Sequence, residues 1–129
     1  MDQFKMKSLL KAQQGELDAV ILYQSLAKLT KNSKVKEKFT QIAADEGKHA
    51  AILRSYTGEK LKPKNTNAVI VSFIYKTFGH SLTCKLLSKG EMNAIPNYKK
   101  MLSDFPKVKE IMDDELRHAK ITKECQQER

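Results

Sequence analysis

The sequence predicts an all-α fold: a left-handed four-helix bundle with a long crossover between its second and third helices. Three observations carry this reading. The 129 residues are 40% apolar and 30% charged but hold only 5 Gly and 3 Pro, a balance that fits packed helices and argues against a turn-rich β sandwich or a disordered chain. Apolar residues recur with helical stride in four segments separated by weak breakers,. Within each segment the inward line steps by alternating threes and fours, the spacing of left-handed bundle packing. A chain of this length predicts one domain, 1–129, closing a single core.

The first helix is expected over Gln3 to Lys31, with Asn32-Ser33 as the turn and Ser33 as the N-cap of the second helix,. Its inward line is Leu9, Gln13, Glu16, Val20, Tyr23, Ala27. The second runs from Lys34 to Tyr56 along Val35, Phe39, Ile42, Glu46, His49, Leu53, and stops at Thr57-Gly58, where glycine supplies the left-handed residue,. Glu59 to Asn67 reads as a loop, followed by a short apolar crossover helix from Thr66 to Phe78 that ends at Gly79. The third long helix spans His80 to Ser103 on the line His80, Cys84, Leu87, Glu91, Ala94, Tyr98, with Pro96 expected to bend it,. Asp104 then caps the fourth, with Pro106 in its first turn and the line Val108, Ile111, Glu115, His118, Thr122, Cys125,.

Charge and composition exclude several classes of function. The net charge of +9 would suit nucleic acid, yet of 24 cationic residues only Arg54, Arg117 and Arg129 are arginine, Trp is absent, and the lysines are spread along every segment. That removes the bidentate and stacking chemistry of nucleic-acid readers and leaves a solvated lysine surface. The longest apolar run, Ala68 to Tyr75 broken only by Ser72, is 8 residues, against roughly 20 for a membrane span. The opening MDQFKMKS carries an early Asp and no apolar stretch of a secretory signal,. The expectation is a soluble, cytoplasmic protein without stable membrane insertion. Cys84 and Cys125 lack the CxxC spacing of a zinc or rubredoxin-like site,. They are expected at one level, buried and inert, two to three turns from the chemistry, and His80 is expected as a capping or core residue.

The chemistry lies in the middle of the inward lines, where every long helix places a glutamate: Glu16, Glu46, Glu91 and Glu115. Four buried carboxylates at one level would cost several kcal/mol each if left unpaired. Two divalent cations would neutralise them. His49 and His118 each follow a glutamate by three residues, in Glu46-Gly-Lys-His49 and Glu115-Leu-Arg-His118, so each pair shares a helix face and can present a carboxylate oxygen and an imidazole nitrogen to one ion. With 9 Glu in the chain, one His has about a 7% chance of such a neighbour, and two of three by accident is nearer 1.5%. One glutamate from each of two helices and Glu-x-x-His from the other two is the ligand set of carboxylate-bridged di-metal bundles.

Register supports the set. Glu16 precedes Asn32 by 16 residues and Glu46 follows it by 14, while Glu91 precedes Asp104 by 13 and Glu115 follows it by 11; at roughly 1.5 Å per residue each pair is level on antiparallel helices. If the third helix ran back from Thr66, Glu91 would lie 25 residues in against 12 between Glu46 and Gly58, a misfit of about 20 Å. A crossover from Gly58 to Phe78 that returns the chain to the other end removes it, making the second and third helices parallel, as in a ferritin-like bundle.

These residues resemble a ferritin-like di-iron protein of the rubrerythrin kind, over nearly the whole chain. Gly15-Glu16-Leu17-Asp18-Ala19 with Tyr23 resembles the first-helix pattern, and Ile42 to Ala50 with Asp45-Glu46-Gly47-Lys48-His49 resembles the second. Leu86 to Glu91 followed by Tyr98, then Asp114-Glu115-Leu116-Arg117-His118, is similar to the ferritin-like domain that precedes a membrane region in some vacuolar-type iron transporters. The resemblance implies that Glu16, Glu46, His49, Glu91, Glu115 and His118 hold two iron ions and that Tyr23 donates a hydrogen bond to a ligand carboxylate. It departs where rubrerythrins proper carry a further glutamate, here Ala94, and a glutamate in place of His118. No rubredoxin-like site accompanies it, so an external electron donor is implied.

The resulting expectation is a di-iron oxidoreductase that reduces O2 or H2O2, as peroxidase or ferroxidase. Two irons are bridged by the four glutamates and the histidines are terminal. Oxygen and imidazole donors suit manganese as well. Tyr23 and Tyr98, each seven residues after a ligand glutamate, are expected beside the metals as hydrogen-bond or electron donors. A quinone-type hydroxylase, or an iron-binding or sensing module without turnover, are the alternatives. The crossover helix is apolar on too many faces for a solvated strap, and a homodimer contact is the expected use.

Overall fold

The computed structural model describes residues 1–128; Arg129, one of the three arginines, lies outside them. Five helices occur among the described residues, with no strand: α1 (Gln3–Leu29), α2 (Ser33–Thr57), α3 (Thr66–Phe78), α4 (His80–Met101) and α5 (Val108–Cys125). The four long ones form the expected all-α bundle, and α3 is the crossover. No helix among them is long and apolar enough to cross a membrane.

The polar ends of the chain segments set this topology. The α1–α2 turn is held by Asn32, whose side chain accepts from the backbone N–H of Lys34 and Val35 at 3.0 and 3.1 Å. The expected cap, Ser33, is instead the first helical residue, because the amide oxygen one position earlier already satisfies those donors. Gly58 closes α2 at φ 70°, as expected. The chain then runs back along α1. Gln13 Nε2 donates to the Glu59 carbonyl at 2.8 Å, Gln14 Nε2 to the Lys62 carbonyl at 2.8 Å, and Asp18 accepts from the Lys64 N–H at 2.7 Å. These three side chains start residues 59–65 back along α1, and α3, packed on α1, carries the chain on to where α4 begins, so α2 and α4 are parallel.

The start of the last helix departs from expectation. Residues 102–107 form turns and α5 begins at Val108, with no side-chain cap. Asp104 does not cap it; its carboxylate pairs with Lys5 at 3.3 Å, so Pro106 lies ahead of the helix. Pro96 sits inside α4, which continues through it.

Two apolar clusters fill the bundle. One holds Tyr23, Leu26, Val35, Phe39, Ile42, Cys84, Leu87 and Cys125; the other holds Leu9, Leu53, Tyr98, Phe105, Val108 and Ile111. Between them lies the polar layer. The inward lines read from periodicity are buried with few exceptions: Val20 is half-buried, as are His80 and Ala94, and Leu26 is buried in addition. The long helices are not equally close. α1 packs on α2 and α3, α4 on α3 and α5, and α2 on α5, whereas no Cα of α1 comes within 8 Å of one in α4.

Candidate metal centre

All six residues expected as ligands converge on the polar layer, and all are buried at 5% exposure or less. His49 Nδ1 lies 3.2 Å from Glu46 Oε1, 3.4 Å from Glu115 Oε1 and 3.5 Å from Glu16 Oε2. His118 Nδ1 lies 3.2 Å from the same Glu46 Oε1 and 3.7 Å from Glu91 Oε2. Donor atoms of Glu16, Glu46, His49 and Glu115 fall within 4.8 Å of one another, and so do those of Glu46, Glu91, Glu115 and His118. Each group is able to hold a metal ion. Glu46 and Glu115 belong to both groups, Glu16 and Glu91 to one each. The expectation that all four glutamates bridge is thereby corrected: only the two on the Glu-x-x-His helices α2 and α5 lie between both positions, since the two antiparallel partners bring their glutamates in from opposite flanks.

Whether these residues fit metal is tested by their unsatisfied atoms. Among the described residues, the buried side-chain polar atoms without a hydrogen-bond partner are Glu16 Oε2, Glu46 Oε1, His49 Nδ1, Glu91 Oε2, Glu115 Oε1 and His118 Nδ1. That is one atom from each expected ligand and no other. Buried polar groups are normally paired, and orphans cost about 1–3 kcal/mol each. Six orphans aimed at one another are carboxylate oxygens and imidazole nitrogens, the hard and borderline donors that divalent iron or manganese accepts.

The remaining atoms of the same side chains are satisfied, and this fixes their orientation. Tyr23 donates to Glu91 Oε1 at 2.7 Å and Tyr98 to Glu16 Oε1 at 2.6 Å. Each tyrosine thus serves the glutamate of the opposite half, across the gap between α1 and α4. Burial and the adjacent carboxylate, Glu91 for Tyr23 and Glu16 for Tyr98, raise both phenols well above the ordinary range, so both remain donors. His49 Nε2 lies 2.7 Å from Asp114 Oδ2, and His118 Nε2 lies 2.9 Å from Asp45 Oδ2. An ionised carboxylate only accepts, so each Nε2 carries a proton, and Nδ1 is the atom each ring turns toward the orphan cluster. Arg117 clamps both aspartates, at 2.9 Å to Asp45 and 3.1 Å to Asp114. Burial acts against the charge on either aspartate, but the imidazole facing it and Arg117 outweigh burial and hold both carboxyls below the usual range.

With no cation among them, the clustered groups compete for protons. Burial pushes Glu16 up to about 7 and Glu115 up to about 12, whereas Glu46 is lowered because His118 and His49 outweigh its burial. Burial disfavours charge on the imidazoles, yet the surrounding carboxylates win. His118 rises to about 10, chiefly through Glu46, and His49 is raised through Glu115, Glu16 and Glu46.

Asp45, Asp114 and Arg117 were not singled out from the sequence. Their signal was present: an aspartate immediately precedes each ligand glutamate, so the motif is Asp-Glu-x-x-His twice. The other titratable cluster lies apart, in the apolar core. His80 Nε2 is 2.5 Å from the Cys125 carbonyl, capping the end of α5, and 3.5 Å from Cys84 Sγ. Both thiols are free and buried, as expected, and burial pushes Cys84 up to about 12.

Fold and site together define a four-helix-bundle protein with a buried glutamate and histidine cluster able to hold metal. The chain matches the family model described as Rubrerythrin over residues 7–129 and belongs to the rubrerythrin family. No curated protein and no solved structure matches it.

Proposed function

We propose that this chain is a di-iron oxidoreductase that reduces H2O2 or O2, with Glu16, Glu46, His49, Glu91, Glu115 and His118 as the iron ligands. The observation that carries the reading is the set of six orphaned buried atoms, one from each of these residues. Family membership supports it. One ion would be held by Glu16 and His49, the other by Glu91 and His118, with Glu46 and Glu115 within reach of both. Bound there, iron would supply the redox chemistry, with an external donor to restore its electrons.

The protein's own residues contribute position, charge and dryness. The carboxylates balance the charge of two divalent ions. Tyr23 and Tyr98 hold one oxygen of each terminal glutamate so that the other faces the metal. Asp45 and Asp114 fix the tautomer of the imidazoles, and the two apolar clusters flank the layer on either side,. A quinone-type hydroxylase would use the same donors and is the alternative reading; manganese is compatible with them as well. We place the protein in the cytoplasm, without nucleic-acid partners, as a homodimer joined through the exposed apolar side chains of α3 that face away from the bundle, Val69 and Phe73,.

The test is metal content after anaerobic Fe(II) loading and desalting, followed by mixing the reduced protein with H2O2. Two irons per chain are expected, with their oxidation following peroxide concentration. E46A combined with E115A removes both shared ligands and should abolish retention. A wild-type chain that keeps no metal would overturn the proposal, and metal retained without any peroxide-dependent step would leave a binding module instead.

A further inference from the structure

A cavity of about 830 Å³ opens between α1 and α4, where the two backbones stand apart. This volume lies within the range of roughly 300–1,000 Å³ typical of sites for organic ligands. Reduction of H2O2 or O2 needs no such space. The cavity is polarised along its length. At one end lie Lys5, Lys11 and Lys100; at the other lie Leu22, Leu86, Ile70 and Val71, and the cluster glutamates form part of the wall between. Lys5 is matched by Asp104, which shares the rim. Lys11 and Lys100 have no carboxylate partner among the described residues, so this end presents uncompensated positive charge. At the far end Ile70 is 53% and Leu86 41% exposed, apolar surface that a ligand would cover.

Two glycines keep the middle open. Gly15 and Gly90 each precede a cluster glutamate, line the cavity from opposite helices, and would place an added Cβ more than 4 Å from any neighbour. Glycine inside a helix costs about 1 kcal/mol relative to alanine, and at neither position does packing demand it. A side chain at either would instead project into the open space beside the cluster.

We propose that this groove binds a long-chain carboxylate, a fatty acid, with its head group on Lys11 and Lys100 and its tail running past Gly15 and Gly90 to Leu22 and Leu86. The lengths agree: along α1, Lys11 to Glu16 is about 7.5 Å and Lys11 to Leu22 about 16 Å at the helical rise. The middle of the chain therefore passes beside the glutamate layer. Positive charge at one end and an apolar far end select an anionic amphiphile over a neutral one or a compact anion.

The probe is cis-parinaric acid, whose fluorescence rises in an apolar site, titrated into the full chain both with and without iron. Reading both forms keeps this test independent of the di-iron proposal. Saturable binding at one per chain is expected, displaced by palmitate and roughly tenfold less well by hexadecanol, which lacks the charge. G15F and G90F should abolish the signal while helicity by circular dichroism is retained. K11E with K100E, both exposed and needing no repacking, should weaken it roughly tenfold. The proposal is overturned by absence of saturable binding, by hexadecanol competing as well as palmitate, or by a signal indifferent to G15F and G90F yet lost in F73D, which would place the probe on the exposed face of α3. A sedimenting dimer that takes up no probe would overturn it too, with a second copy covering the groove.

Discussion

The two halves of the bundle, α1–α2 and α4–α5, meet the polar layer with the same pieces in the same order. Each supplies a glutamate followed seven residues later by a tyrosine, then Asp-Glu-x-x-His: Glu16, Tyr23, Asp45, Glu46, His49 on one side and Glu91, Tyr98, Asp114, Glu115, His118 on the other. The pieces are exchanged across the interface. Tyr23 serves Glu91 and Tyr98 serves Glu16; Asp114 holds His49 and Asp45 holds His118. The halves differ one step further out. Arg117, on α5, reaches both aspartates, while the residue at the same place on α2, Lys48, is exposed and makes no ion pair among the described residues. The inner layer is therefore symmetric and its support is not. Neither half can orient its own imidazole, so the centre exists only when the halves are packed together.

Removing the aspartates breaks the exchange most directly. D45N and D114N are each expected to weaken iron binding about 10- to 100-fold, because the amide no longer favours the Nε2–H tautomer of the imidazole it faces. D45N acts through His118 and D114N through His49, so each variant disturbs the ion held by the opposite Glu-x-x-His motif. Competition with a chelator of known affinity measures this; equal affinity for wild type and variants would refute the crossed arrangement.

The asymmetric support makes the next, smaller difference. R117A should cost about 1 kcal/mol in urea unfolding, since it releases two carboxylates on different helices, whereas K48A should stay within about 0.5 kcal/mol of wild type. If the two changes are equally mild, Arg117 is a surface residue and the halves are equivalent throughout.

A pH effect separates the polar layer from the apolar cluster beyond it. Burial lifts the Cys84 thiol from 9.0 to about 12. Between those values the unfolded chain loses the proton while the folded one keeps it, so the unfolded state binds fewer protons and stability falls as pH rises. Stability from this thiol is fully present below pH 9. Thermal unfolding of wild type should decline more steeply than that of C84A from pH 9 to 11; parallel curves would show that the thiol is not held in the way described.

Much of this centre was legible before any coordinates. A glutamate in the middle of four amphipathic lines, with two histidines at the helical spacing of three, specifies both the ligands and their helix faces, because periodicity decides what points inward. Gly58 likewise announced its turn, and the register of Glu91 against Glu46 required the crossover. Capping was less legible. Asn32 displaced Ser33 as a cap, and Asp104 was drawn to Lys5, since neighbouring polar side chains compete for the same backbone donors and distant charges compete for the same carboxylate.

What the sequence by itself determined is therefore a helical bundle with six metal-competent side chains at one level, for these follow from spacing along a single helix. Only the tertiary structure decided which glutamates are shared, which tyrosine and aspartate serve which partner, and that α1 and α4 stand apart to leave a cavity between a lysine end and an apolar end. Those features depend on distances between helices far apart in sequence, and a one-dimensional period carries no information about how two such surfaces meet.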